Sequence, residues 1–115
     1  NNPGYGSAKA AQAHLTRLMA AELGADKIRV NTVNPDAVIS DSKIWEGAWA
    51  EGRAKAYGVK VEELPAYYAK RTLLNEMILP EDIANACFAF TGGLLNKSTG
   101  NVLNVDGGVA MAFVR

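Results

Sequence analysis

Along the first two dozen residues, Ala8, Ala11, Leu15, Leu18 and Met19 recur at spacings of three and four, and alanine fills much of the remainder. That spacing is the period of an α-helix, so the pattern predicts a helix over residues 5–23 with one apolar stripe. Gly24 stands just past the last apolar position, where a left-handed residue would end the helix. The pattern then changes. Residues 28–33 form a short β-branched run between Asp26 and Pro35, which predicts a buried strand. A helix, a short turn and a strand in that order predict an α/β unit with a parallel sheet.

Residues 36–79 follow neither period for long. Trp45, Trp49, Tyr57, Tyr67 and Tyr68 are mixed with charges, Gly58 and Pro65, so short helices are expected in a long excursion that serves as a lid or binding segment. Pro80-Glu81-Asp82 then reads as a helix start, with proline in the first turn and two acids near the positive end of the helix dipole. Ile83, Ala86, Cys87 and Phe90 give that helix its apolar stripe, and Thr91-Gly92-Gly93 stops it. Residues 101–105 predict a final strand, ended by Asp106-Gly107-Gly108.

Composition narrows the function classes. A length of 115 residues suits one domain, half the residues are apolar, and the formal net charge is zero. A balanced charge argues against nucleic acid or an anionic membrane surface as partner, since both want clustered Lys and Arg. Cys87 is the single cysteine, so no internal disulfide is expected and a reducing, cytoplasmic setting is. No apolar run approaches the roughly 20 residues that span a bilayer. The opening Asn1-Asn2-Pro3-Gly4, with no strand ahead of the first helix, reads as cut from something larger.

Tyr5 and Lys9 stand four apart at the start of the first helix and therefore project from one face. A phenol is a poor base at neutral pH, and a neighbouring cation favours the phenolate. Such a pair can take the hydroxyl proton of an alcohol while hydride leaves its carbon, or give a proton in reverse. Alone, the same five residues also fit a first-turn tyrosine beside a solvated lysine.

The surroundings add to this. After Tyr5-x-x-x-Lys9 come Ile28-Arg29-Val30-Asn31, then Asn34-Pro35 with Val38 and Ser40, then Pro80-Glu81-Asp82-Ile83-Ala84, Ser98-Thr99-Gly100 and Asn104-Val105-Asp106-Gly107-Gly108. In order and spacing these landmarks resemble the second half of the short-chain dehydrogenases/reductases across nearly the whole chain. The resemblance implies an α/β fold, the C-terminal part of a Rossmann-type parallel sheet with flanking helices. It divides residues 1–115 into a catalytic helix (5–23), a substrate-loop region (36–79) and a C-terminal helix and strand (80–108). It also implies a nicotinamide cofactor, NAD by preference with NADP left open. Tyr5 becomes the general acid/base, and Lys9 supports it and contacts the nicotinamide ribose. Pro35, Val38 and Ser40 match the loop that holds the carboxamide; no metal is implied.

Two positions depart from the family pattern. Asp36 replaces the usual glycine after the loop proline, and Ser40 replaces the usual threonine. The family's Gly-rich turn, adenine-ribose determinant and catalytic serine all lie ahead of the tyrosine, and only four residues precede Tyr5 here. Ser7 is not that serine. On this resemblance the chain alone is expected to bind cofactor poorly and to turn over nothing.

The middle region carries a closer resemblance. Ile44-Trp45-Glu46-Gly47, Arg53 to Gly58, Tyr67-Tyr68, Arg71 to Leu74 and the ending Asp106 to Phe113 resemble the dehydrogenase domain of bifunctional rhamnulose-1-phosphate aldolase/alcohol dehydrogenases. This implies a small-molecule substrate related to lactaldehyde and a homo-oligomer built on the first helix and the C-terminal strand. A second reading is a non-catalytic piece that folds and self-associates.

Other residues have plainer expectations. His14 has no second ligand at metal spacing and reads as a surface residue. Cys87 reads as a buried thiol. Trp45 and Trp49 suit either a core or a substrate wall. Arg53 and Arg71 suit solvent or an anion, and Gly107-Gly108 suits close chain packing more than phosphate contact.

Overall fold

The structure, a computed structural model, describes residues 3–110. In chain order it contains α1 (Pro3–Leu23), β1 (Thr32–Pro35), α2 (Gly47–Tyr57), α3 (Leu64–Ala69), α4 (Pro80–Thr91) and β2 (Val102–Val105). Single 3-10 turns lie at Gly24–Asp26, Lys43–Trp45 and Val61–Glu63. β1 and β2 pair side by side and run parallel, as Gly100 N–H to Val30 carbonyl (2.7 Å) and Thr32 N–H to Asn101 carbonyl (2.9 Å) show. Parallel neighbours need a long crossover, and the residues between them supply it. The described residues form two compact units, 3–34 with 85–103 and 35–84 with 104–110.

In the first unit, α1 buries small residues. Thr16 and Ala20 are buried, with Ala13 and Leu23 half-buried, whereas Leu15, Leu18 and Met19 of the expected stripe are exposed. The buried face is the one that meets β1 and the turn before β2. The Thr16 hydroxyl donates to the Gln12 carbonyl (3.3 Å), so the Thr32 hydroxyl, 2.5 Å away, donates to Thr16. Ala20 lies 3.6 Å from where a side chain on Gly100 would begin, a spacing that suits small residues. Gly24 does not cap α1 as expected. It opens the 3-10 turn, and the left-handed residue is Lys27 (φ 64°), whose N–H bonds back to Gly24.

The strand expected over 28–33 lies at Thr32–Pro35 instead. Apart from the Val30 carbonyl, which accepts from Gly100 N–H, residues 29–31 make side-chain bonds rather than a regular ladder. Val30 N–H donates to the Thr99 hydroxyl (3.0 Å), and the Asn31 carboxamide donates to the Ser98 carbonyl (2.9 Å) and accepts from Asn101 N–H (3.2 Å). The Arg29 guanidinium reaches the carbonyls of Phe90 (2.6 Å), Leu95 (3.0 Å) and Ser98 (3.4 Å), satisfying acceptors at the end of α4 and in the turn after it. Pro35, with no N–H to give, closes the strand.

α4 starts at Pro80, as predicted, and Asp82 fixes its entry: its carboxylate accepts from Leu79 N–H at 2.8 Å while its own N–H bonds the Leu79 carbonyl. Within the first unit, Phe90 is buried and Ala86 half-buried, but Cys87 is exposed, against expectation. At about 100° per residue, Cys87 falls on the rim of a stripe centred between Ala86 and Phe90.

The second unit has its own core of Ala50, Ala54, Leu64 and Tyr68, with Ala37, Ile39, Trp45, Tyr57, Val59 and Tyr67 packed against it. Alanines one turn apart on α2 bring the α3 side chains close, and Leu64 is left 2% exposed. Truncating such a leucine to alanine costs about 2–5 kcal/mol. The segment after β2 lies against residues 72–74: Leu73 N–H donates to the Gly108 carbonyl (3.0 Å) and Leu74 N–H to the Gly107 carbonyl (3.1 Å). A Cβ on Gly107 would stand 2.9 Å from the Thr72 Cβ, so the two glycines permit close chain packing, as the sequence suggested. Residues 111–113 of the expected ending, Arg115 and the Ile44 side chain fall outside what the structure describes.

Candidate active site

Tyr5 and Lys9 lie in the first turns of α1, which is helical because alanine dominates and no β-branched residue interrupts its first half. The Lys9 ammonium is 5.8 Å from the centroid of the Tyr5 ring. It donates one hydrogen bond to the Gln12 carboxamide oxygen at 3.3 Å, leaving two of its three N–H groups for other acceptors. Tyr5 is 64% exposed. The two therefore share one helix face as the sequence predicted, with a cation beside a phenol. The anchor of this helix is the Thr16–Thr32 hydroxyl pair, which the apolar spacing does not predict. Its available signal was a threonine at spacing three to four between Ala13 and Ala20.

Pro35, Val38 and Ser40 belong to the second unit, and Tyr5 and Lys9 to the first. Pro35 is exposed, and Val38 and Ser40 are half-buried. Val38 forms an isolated parallel bridge with Ile78, and Asp36 N–H donates to the Val105 carbonyl at 3.4 Å, so both ends of the loop are tied by backbone. Among the described residues the left-handed non-glycine positions are Lys27, Asp41 and Asn75, so Asp36 adopts no conformation that requires glycine. Asp36, Ala37 and Ile39 line a small open pocket with Tyr68, Thr72, Glu76, Met77 and Ile78. Thr72 is buried at its edge, where its hydroxyl has the Ala69 and Glu76 carbonyls as acceptors and itself accepts from Glu76 N–H.

A third group, seen in the sequence as separate residues, is joined in the structure. Trp45 meets Trp49 edge to face at 4.6 Å and Tyr68 at 4.8 Å, while Tyr57 stacks on Tyr67 at 4.5 Å. The Tyr57 and Tyr68 hydroxyls are 3.3 Å apart. Tyr68 is buried, so its O–H is the donor and Tyr57 the acceptor. That hydrogen bond holds the Tyr57 phenol below its ordinary pKa, while burial pushes Tyr68 well above its own. His14 is exposed, and no group of three metal-ligating side chains exists among the described residues. No described helix is long and apolar enough to cross a membrane.

Comparison with known proteins matches residues 1–110 to the family described as enoyl-(acyl carrier protein) reductase. The chain is 49% identical over all 115 residues to the uncharacterized oxidoreductase YuxG of Bacillus subtilis. It is 32% identical over 108 residues to the 7alpha-hydroxysteroid dehydrogenase of Escherichia coli. It spans 17% of the length of the first and 37% of the second. Among solved structures, the L-sorbose reductase of Gluconobacter frateurii, complexed with NADPH and L-sorbose, superposes with a TM-score of 0.79. The match covers 97% of this chain and 42% of that one, at 26% identity.

Proposed function

Because the chain belongs to the short-chain dehydrogenase/reductase family, we propose that it supplies the acid/base half of a nicotinamide-dependent oxidoreductase that interconverts an alcohol and a carbonyl. The observation that carries this reading is the Lys9 ammonium 5.8 Å from the Tyr5 ring on one exposed helix face. The nicotinamide, when bound, supplies the hydride acceptor or donor. Lys9 keeps two N–H groups, which suits ribose hydroxyls; Pro35, Val38 and Ser40, whose loop is tied by the Val38–Ile78 bridge, are the residues proposed for the carboxamide. Tyr5 takes the proton from the substrate hydroxyl oxygen in oxidation and returns it to the carbonyl oxygen in reduction. Lys9 stabilises the phenolate between those events. NAD is the proposed cofactor, with NADP open.

The substrate proposed is lactaldehyde or its alcohol partner, within a bifunctional protein that also carries an aldolase domain. The chain spans 17% of the oxidoreductase to which it is 49% identical, against 37% of the hydroxysteroid dehydrogenase, so the former relative has room for a further domain. Self-association completes the proposal. Leu15, Leu18 and Met19 on α1 and Val102 and Leu103 on β2 are exposed apolar side chains, which suits a homo-oligomer.

The deciding experiment is Tyr5→Phe in the intact protein. It keeps the ring and removes the proton, so kcat should fall by about 10²–10⁴-fold with cofactor affinity unchanged. Lys9→Ala should lower kcat and also weaken cofactor binding. A Tyr5→Phe protein with more than about a tenth of normal kcat would refute the assignment.

A further inference from the structure

Trp45, Trp49, Arg53 and Tyr57 recur every four residues from the turn Lys43–Trp45 through α2. The Arg53 guanidinium carbon is 4.9 Å from the Trp49 ring centroid, and its Nη1 donates to the Tyr57 hydroxyl at 3.4 Å. From Tyr57 the contacts continue to the Tyr68 hydroxyl, and the Arg71 guanidinium carbon lies 4.8 Å from the Tyr68 ring centroid. Both arginines are exposed, and among the described residues neither is paired with a carboxylate. We propose that Arg53, Arg71 and Tyr57 form a binding site for a phosphoryl dianion, either inorganic phosphate or the phosphate of a small phosphomonoester.

The chemistry of the donors argues for that ligand. Tyr68 gives its proton to Tyr57, so the Tyr57 O–H remains to be donated outward. Two guanidinium forks and one phenol present donors alone, which suits an anion with several unprotonated oxygens. Two fixed positive charges match a dianion, whereas a carboxylate would neutralise one. Each guanidinium already rests on an aromatic ring, so little rotamer freedom is lost on binding. Both cations also favour the Tyr57 phenolate, Arg53 from hydrogen-bonding distance of its hydroxyl and Arg71 from over the neighbouring Tyr68 ring.

The site goes beyond the oxidoreductase reading, and its test needs no turnover, so either can fail without the other. The intact protein is titrated by calorimetry with inorganic phosphate, glycerol 3-phosphate and acetate. Phosphate or the monoester should bind, and Arg53→Gln and Arg71→Gln should each weaken binding by about tenfold or more. Tyr57→Phe should weaken it less. Equal affinity for both phosphates identifies the free ion as ligand, and tighter binding of the monoester identifies a phosphorylated small molecule; both support the site. Arg53→Lys keeps a cation near Trp49 but loses the fork, so it should bind at an intermediate level and keeps the test decisive if Arg53→Gln misfolds. No phosphate binding up to about 20 mM, acetate binding as tightly as phosphate, or unchanged binding in the folded arginine variants overturns the proposal.

Discussion

The Arg29 guanidinium donates to the Phe90 carbonyl at 2.6 Å, and the same side chain reaches the carbonyls of Leu95 and Ser98. One residue thereby satisfies acceptors at the C-terminal end of α4 and in the turn that leads to β2. Hydrogen bonds from a charged donor are worth about 1.5–3 kcal/mol, and partly buried carbonyls left unpaired cost more. Arg29→Ala should therefore lower unfolding free energy by at least about 2 kcal/mol in urea titration. Arg29→Lys, which has a single ammonium for three acceptors, should recover part of that. A loss below about 0.5 kcal/mol would show the three bonds to be incidental.

Gly107 and Gly24 should respond in opposite directions to the same substitution. Gly107 has φ 62° and a Cβ site 2.9 Å from Thr72 Cβ, whereas Gly24 has neither a left-handed φ nor any atom within 4 Å of its Cβ site. Gly107→Ala should destabilise by about 1–3 kcal/mol through backbone strain and overpacking. Gly24→Ala should be neutral or stabilise by up to about 1 kcal/mol, since it restricts the unfolded chain. Thermal unfolding of both variants in one background checks the contrast in sign.

The Tyr57–Tyr68 pair predicts a split tyrosine titration at 295 nm. Tyr57, lowered chiefly by the hydrogen bond from Tyr68, should ionise before ordinary tyrosines, and Tyr68, raised chiefly by burial, after them. Tyr68→Phe removes the donor, so the early step should move up toward the ordinary value near 10. The effects on stability have opposite signs. The lowered group contributes stability above pH 10 that is lost as pH falls through its folded value. The raised group contributes stability below pH 10 that is lost as pH rises through its own. A single unsplit transition would contradict the arrangement.

Self-association is checked by light scattering. With Leu15, Leu18 and Met19 exposed on α1, the chain at micromolar concentration should scatter as a dimer or larger species. Leu18→Glu should shift it toward monomer, and a well-folded monomer in the unsubstituted chain would rule the interface out.

What was legible in the sequence followed the range over which each signal acts. Tyr5 and Lys9 sit on one helix face because their spacing alone puts them there. α4 began at Pro80 because Asp82 answers Leu79 three residues away. The face that α1 buries differs from the predicted stripe because periodicity weighs large apolar side chains, whereas Ala13, Thr16 and Ala20 are selected by how near β1 and Gly100 approach. Residues 29–31 were read as strand from their β-branched character, but their partners are Phe90, Ser98 and Thr99, which no local pattern announces. The arginine–aromatic group carried a visible spacing of four, yet Tyr68 and Arg71 join it from another helix and the turn after it.

The same distant pairing sets an order for folding. Arg29, Val30 and Asn31 are separated from their acceptors and donors by 61 to 70 residues, so on a ribosome adding about 5–20 residues per second they wait on the order of ten seconds for them. The segment around α2 and α3 needs no such delay, because Ala50, Ala54, Leu64 and Tyr68 lie close in sequence and close their loops at low entropic cost. The middle of the chain can therefore be structured while Arg29, Val30 and Asn31 still await the end of α4 and the segment after it.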